Sequence, residues 1–205
     1  MSLETLKTKV GLLIENKKLY DLIFKTNTYK RALFADFEGE TIPQLNYSQF
    51  SSFWYFARNS KITHIDFYIN SSSCTEMIDA FSGCKQLKSM VGIDTSEATN
   101  VGGMFYGCST LETIGEPLDF NKVTKTNAIF TNTFSLKEIR FVAETIKVSI
   151  SFINVNLLSA ESIQSIIDGL ATVETAQTLT LNTDVKAKLT QTQLDTITSK
   201  NWNLA

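Results

Sequence analysis

Apolar residues recur along the middle of this chain at a fixed distance, with polar turns between them. Residues 75–90 align with residues 99–114 at a constant offset of 24, so that Phe81 falls on Phe105, Gly83-Cys84 on Gly107-Cys108, Leu87 on Leu111 and Met90 on Ile114. Moving the frame by 25 residues in each direction adds Phe56, Ile62 and Ile65 upstream, and Phe130, Leu136 and Ile139 downstream. Three apolar ladders result: Phe56, Phe81, Phe105, Phe130; then Ile62, Leu87, Leu111, Leu136; then Ile65, Met90, Ile114, Ile139. A period in this range marks an array of units, none of which can bury its apolar face alone.

Each unit reads as a polar turn, a short helical turn carrying the Phe, and a residue tolerant of left-handed backbone (Gly83, Gly107, Asn132). A strand follows, and Phe67 and Phe141 continue its inner side in the outer units. The expected fold is therefore α/β: a leucine-rich-repeat-like right-handed solenoid of four units over residues 49–155. Before it, Leu3, Leu6, Val10, Leu13, Ile14, Leu19, Leu22 and Ile23 recur at helical spacing within a stretch that runs to Phe37. This predicts an N-terminal helical cap over residues 1–48, with residues 38–43 as the turn into the first unit. After the array, Ser159 is placed to cap a helix over 160–170. Thr178 to Leu181 alternates as a strand, and Thr190 with Gln193 spells a capping box for a last helix. Residues 156–205 are thus expected to form a helix-strand-helix C-terminal cap.

At these residues the chain resembles the BspA-type leucine-rich repeats of bacterial surface and phage proteins. Their recurring pattern is matched here by Thr99-Asn100, Met104-Phe105, Gly107-Cys108-Ser109, Leu111 and Ile114. The preceding unit keeps Phe81, Gly83, Cys84 and Leu87 but has Ala80 in place of Met. The outer units carry Arg58-Asn59 and Asn132-Thr133 at the Gly-Cys pair. The resemblance spans about residues 50 to 145. The segment from Leu158 through Leu170, Thr178 to Leu181, Leu189 and Lys200-Asn201-Trp202 is similar to a C-terminal segment of phage and prophage tail-region proteins, with Asn201 where those usually have Gly.

Composition narrows the function classes. The 205 residues are 43% hydrophobic, enough for a continuous core, and carry 19 basic against 21 acidic side chains for a net charge of -2. Without a basic stripe, nucleic acid is not an expected partner. Near the start the longest apolar run is Gly11-Leu12-Leu13-Ile14, shorter than the roughly 7 to 15 residues of a signal-peptide core, so export by a leader is not expected. Nor does any apolar run reach the roughly 18 residues of a membrane span. Cys74, Cys84 and Cys108 are odd in number and lack CxxC spacing, which argues against a disulfide framework and a zinc site. Cys84 and Cys108 fall one unit apart and read as buried free thiols, Cys74 as a loop thiol.

No catalytic constellation emerges from the residues. His64 is the single histidine, set between Ile62 and Ile65 on a predicted strand, where an ordinary surface role is expected. Gly102-Gly103 and Gly107 do not spell a phosphate loop. Asp66, Asp94 and Glu112 fall at turns and strands without a cleft. Of the aromatic run 53–56, Phe56 belongs to the first ladder, and Phe53, Trp54 and Tyr55 read as a seal at the junction between cap and first unit. Strand residues flanking the inward positions, namely His64, Asp66, Tyr68, Ser89, Val91, Thr113, Glu138 and Arg140, should form a row across the sheet and are the expected binding surface. No cofactor or metal is expected.

Together with the resemblance, this implies a non-catalytic phage or prophage structural or accessory protein presenting a protein- or glycan-binding surface. Its partners would be other phage structural proteins or a host-surface protein or glycan, and its location the virion, or the host cytoplasm before assembly. A bacterial cell-surface adhesin fragment is the alternative. A glycosidase ranks below both, since it would need two carboxylates roughly 5 to 10 Å apart in a cleft.

Overall fold

A computed structural model describes residues 32–205. Its elements in chain order are strands β1 (His64–Ile69), β2 (Ser89–Ile93), β3 (Thr113–Ile114) and β4 (Ile150–Phe152), helix α1 (Ala160–Gly169), strand β5 (Gln177–Leu181), helices α2 (Thr183–Lys186) and α3 (Gln191–Ser199), and strand β6 (Trp202–Leu204). Most of the expected N-terminal helical cap lies outside the described residues. Its described end, residues 33–36, is a turn.

The expected right-handed leucine-rich-repeat-like solenoid is corrected by the sheet topology. The strands form two separate three-stranded parallel sheets, ordered β1-β2-β3 and β4-β5-β6, and not one sheet running through an array of units. Helices are few, and among the described residues all begin after Ser159. The break has a local cause. β3 is two residues long, and the next unit meets it only through an isolated bridge, Thr113 to Glu138. Beyond that point no strand receives the backbone: the Ile139 N–H donates to Ser162 Oγ at 3.0 Å and the Phe141 N–H to Ser165 Oγ at 3.0 Å, both on α1. Between the sheets parallel pairing is reduced to isolated bridges, Leu118 to Phe141 and Ile146 to Leu170. Whole strands pair again where β4 aligns Ile150 with Leu179 of β5 and β5 aligns Gln177 with Trp202 of β6.

The segments expected as short helical turns are not helices either, because their amides alternate between two kinds of partner. In the second unit Ala80, Ser82 and Cys84 donate three residues back within the turn. Met77, Asp79, Phe81 and Gly83 donate instead to Asn100, Gly102, Met104 and Tyr106 of the following turn, at 2.7 to 2.9 Å. Alternation of this kind requires left-handed residues four apart, and they are present: Tyr55 and Asn59, Asp79 and Gly83, Gly103 and Gly107, Ala128 and Asn132 all have positive φ. Ala32 and Asp36 repeat the pair once more, and their amides donate to Trp54 and Arg58. These two positions fall within the segment expected as the N-terminal cap.

The same bonds correct the first ladder. Ala57 donates to Ala80 O as Phe81 does to Met104 O, so Ala57 is the counterpart of Phe81, and Phe56 that of Ala80. Asn59-Ser60, not Arg58-Asn59, stands at the Gly-Cys pair. A one-residue shortening between Ser60 and Ile62 then restores the 25-residue register seen in β1 and β2, where His64 pairs with Ser89. Phe56 is still buried, but its ring stacks on Phe53 at 4.2 Å between centroids. The aligned ring row is Phe81, Phe105, Phe130 and Phe152, with centroids 5.7, 5.9 and 4.9 Å apart and planes within 15°. The row belongs to one buried cluster extending from Phe34 to Trp202.

At the C-terminal end, Ser159 caps α1 by accepting from the Ser162 N–H, and Thr190 with Gln193 forms a complete capping box on α3. Two elements there were not expected, α2, capped by Asn182, and β6.

Candidate functional site

Two faces carry the exposed groups worth weighing. On the strand face, register brings four of the expected residues into line: His64 opposite Ser89, Ser89 opposite Thr113, and Thr113 opposite Glu138. The second half of the expected row is irregular. Register shifts between Ile65 and Tyr68, so that Asp66 and Phe67 together oppose Val91, and Tyr68 lies opposite Gly92. A Cβ on Gly92 would come within 3.2 Å of the Tyr68 ring and 2.6 Å of Glu116 Cβ. Glycine therefore lets these side chains close over the strand, and Tyr68, Val91, Glu116 and Pro117 bound an open cleft of about 330 Å³. Burial and the carboxylates of Asp94, Glu116 and Asp119 push the Tyr68 phenol above its ordinary value. Arg140 is exposed two residues beyond Glu138.

Several members of this face are already engaged. His64 Nδ1 is 2.8 Å from Thr63 Oγ1 and its Nε2 is 3.4 Å from Asp66 Oδ2. Glu138 Oε2 accepts from Ser159 Oγ at 3.0 Å. Glu112, exposed, pairs with Lys137 at 2.9 Å; that hydrogen bond and charge hold its carboxyl below the usual range. Asp94 accepts from the Ser96 N–H and hydroxyl. Among the described residues no three His, Cys, Asp or Glu side chains converge to hold a metal ion, and no helix there is long and apolar enough to cross a membrane.

The turn face was not anticipated as a surface of interest. Tyr106 is 42% exposed and Phe134 49%. Tyr106 occupies a column whose other members are Arg58, Ser82 and Thr131, and the columns on either side of it contain glycines: Gly102 and Gly103 on one flank, Gly83 and Gly107 on the other. Bare backbone at those positions leaves two concavities that share the Tyr106 ring. One, of about 560 Å³, has Asp79, Asn100, Lys125 and Asn127 around Gly102 and Gly103. The other, of about 480 Å³, has Arg58, Asn59, Lys85 and Asn132 around Gly83 and Gly107, with Phe134 at its rim. The floor is fixed by the turn-to-turn hydrogen bonds, among them Gly83 N–H to Tyr106 O at 2.7 Å and Gly107 N–H to Thr131 O at 2.8 Å. The available signal was a tyrosine set between unit glycines, but in sequence those glycines read only as repeat punctuation.

The cysteines are all buried and unpaired by disulfide. Cys84 Sγ donates to Ala57 O at 3.0 Å and Cys108 Sγ to Phe81 O at 3.1 Å, while Thr133 Oγ1 makes the equivalent bond to Phe105 O at 3.1 Å. Cys74, expected as a loop thiol, lies in a loop; it is buried there and donates to Glu76 O at 3.4 Å. Burial pushes its thiol up to about 12. Burial and the neighbouring Cys84 likewise hold the Cys108 thiol well above its ordinary value. Cys84 differs: hydrogen bonding to Cys108 and Ser60 outweighs its burial and holds its thiol below the ordinary value. Cys74 and Cys108 are packing and hydrogen-bonding groups.

Against this geometry, no family model, no curated protein and no solved structure matches the chain.

Proposed function

We propose that this chain is a non-catalytic binding protein, a structural or accessory component of a phage or prophage particle. Its surface engages other particle proteins or a host-surface protein or glycan. The observation that carries the reading is the spaced display of half-buried and exposed side chains on backbone held by its own hydrogen bonds. Parallel register sets His64, Ser89, Thr113 and Glu138 side by side, next to the Tyr68 cleft. A face fixed in this way loses little conformational freedom on binding, which favours recognition. The acidic and basic groups on it that the sequence offers for chemistry are bound to one another or to neighbouring hydroxyls. The phage assignment rests on the resemblance of the repeat and of the C-terminal segment.

Sedimentation tests it. After induction of the encoding genome, particles banded on a density gradient should contain the chain, detectable with an antibody, in fixed ratio to their structural proteins. Recovery only at the cell surface would replace this reading with the adhesin alternative. Turnover of a polysaccharide by the purified chain would remove the non-catalytic assignment.

A further inference from the structure

The geometry points to the turn face around Tyr106 as a binding site for an acidic glycan, with a carboxylate-bearing pyranose beside Arg58 and Lys85 and a neighbouring sugar ring over Gly102 and Gly103. This deepens the binding role proposed above and rests on it.

The chemistry is that of saccharide recognition. A pyranose offers an apolar C–H face and a rim of hydroxyls, and an aromatic ring with one face free is the usual complement to the former. Tyr106 stands with open concavities on both sides of its ring, and Phe134 edges one of them. Around the rims are side-chain amides: Asn59 and Asn132 on one side of Tyr106, Asn100 and Asn127 on the other. Each amide has a donor and an acceptor, which suits a hydroxyl that needs both; Asn100 Oδ1 already accepts from the Gly102 N–H at 3.1 Å, so its amide offers chiefly the donor. The concavities, about 560 and 480 Å³, fall in the range of about 300 to 1,000 Å³ that small-ligand sites occupy.

Charge chooses among glycans. Residues 32–205 carry 12 basic and 18 acidic side chains, yet the Phe134-side concavity is lined by Arg58 and Lys85 and by no carboxylate. Among the described residues neither cation is ion-paired within 4.0 Å. The Arg58 guanidinium sits 4.6 Å over the Tyr55 ring. Stacking there restricts the long side chain in advance, and its planar fork matches a carboxylate bidentately. On the other flank Asp79 and Lys125 both line the concavity, one of each sign, so a neutral ring suits that half; the Asp79 carboxylate also feels the Arg58 charge. A nucleic acid would bring many phosphates against a surface that is otherwise net acidic, so a uronic-acid-bearing glycan fits better than a polyphosphate.

The space between the rims is not a by-product of backbone strain. Gly103 has φ +63, and a Cβ there would lie 2.0 Å from Asp79 Oδ1, so it must be glycine for the fold. Gly102 has no such constraint. A Cβ there would meet only Asn100 Oδ1 at 3.2 Å and Asn127 O at 3.5 Å. What Gly102 adds is open room beside Tyr106.

Native-gel affinity electrophoresis of the full chain tests this, with polygalacturonate, hyaluronate, neutral dextran or single-stranded DNA cast in the gel. The expected result is retardation by at least one of the two uronate polymers, with dextran and DNA leaving mobility unchanged. Tyr106→Ala should weaken the apparent affinity by about tenfold, and Gly102→Gln, which fills the adjacent space, should do the same. Lys85→Ala should weaken uronate binding more at low salt than at high salt. Thermal melts of each variant verify that the fold is kept. No retardation by either uronate polymer overturns the proposal. So does retardation that Tyr106→Ala leaves unchanged, or equal retardation by DNA, which would mark a general polyanion effect. None of these outcomes bears on whether the chain sediments with particles, so the glycan site and the accessory role can fail separately.

Discussion

At the scale of single residues, the slot held by Cys84, Cys108 and Thr133 shows what the repeat conserves physically. Each side chain donates a hydrogen bond to the carbonyl of the preceding turn, so the requirement is a small buried donor, and sulfur is one way to meet it. The sequence presents Cys beside Thr as drift, because letters do not show a shared hydrogen bond. Cys108→Thr should therefore remain close to the parent, while the isosteric Cys108→Val should be less stable than the Thr variant by about 1 kcal/mol. Urea midpoints at constant slope would measure the difference, and equal midpoints would show that the donor is irrelevant. The same burial fixes a pH dependence. The Cys74 thiol is raised to about 12, against roughly 8.5 to 9 in an unfolded chain. Between these values the unfolded state releases a proton that the folded state keeps, so the unfolded state is favoured as pH rises. Stability should be flat with respect to this thiol below pH 8 and fall above about pH 9, by up to about 1.4 kcal/mol per pH unit per group. Tyr47, whose phenol burial also raises, should add to the fall at higher pH. Urea unfolding from pH 7 to 11 should show a smaller loss in Cys74→Ser than in the parent.

At the scale of elements, the 24-residue offset was legible because Gly83-Cys84 and Gly107-Cys108 mark it with two rare letters in a row. The end of the first sheet was not, since it is decided by side chains far along the chain. Ile139 and Phe141 carry the apolar signature of one more strand, yet their amides are taken by Ser162 and Ser165 of α1. Hydrophobic spacing says which side of a strand faces inward but not which group receives its N–H. Ser162 is fully buried, and its hydroxyl also lies 3.1 Å from Ser159 Oγ and 3.4 Å from Glu138 Oε2. Removing it by Ser162→Ala should strand the buried Ile139 N–H and cost about 1 to 3 kcal/mol. Hydrogen exchange provides the sharper measurement: the Ile139 amide should exchange faster in Ser162→Ala while the β1 and β2 amides change only with global stability. Unchanged protection at Ile139 would mean that the bond to Ser162 is not what ends the sheet. The candidate surfaces divide in the same way. The line of His64, Ser89, Thr113 and Glu138 was readable from the offset alone. The irregularity at Asp66 and Phe67 was not, because both letters suit a regular strand. The turn-face concavities were invisible for a different reason: they are made by side chains that are missing, at Gly83, Gly102, Gly103 and Gly107.

At the scale of the molecule, the question is what couples two sheets that share no strand. The ring row supplies a connection, since Phe81 and Phe105 lie in turns of the units that carry β2 and β3, while Phe152 belongs to β4, with Phe130 between them. The buried cluster extends on through Leu179 to Trp202. The chain's two tryptophans stand at opposite ends of this core: half-buried Trp54 beside the first described turns, and Trp202 in β6, whose Nε1–H donates to Ala171 O at 2.8 Å. If the rings bind both halves into one cooperative unit, damage at the centre must register equally at both ends. Phe105→Ala, deep in the row, should cost about 3 to 5 kcal/mol. In Trp54→Phe and Trp202→Phe backgrounds, each leaving one reporter, it should lower the urea midpoint seen by fluorescence and the midpoint seen by far-ultraviolet circular dichroism together. A shift confined to the Trp54 reporter, with Trp202 unfolding at its parental midpoint, would mean that the two sheets are independently stable and that the ring row only fills space between them.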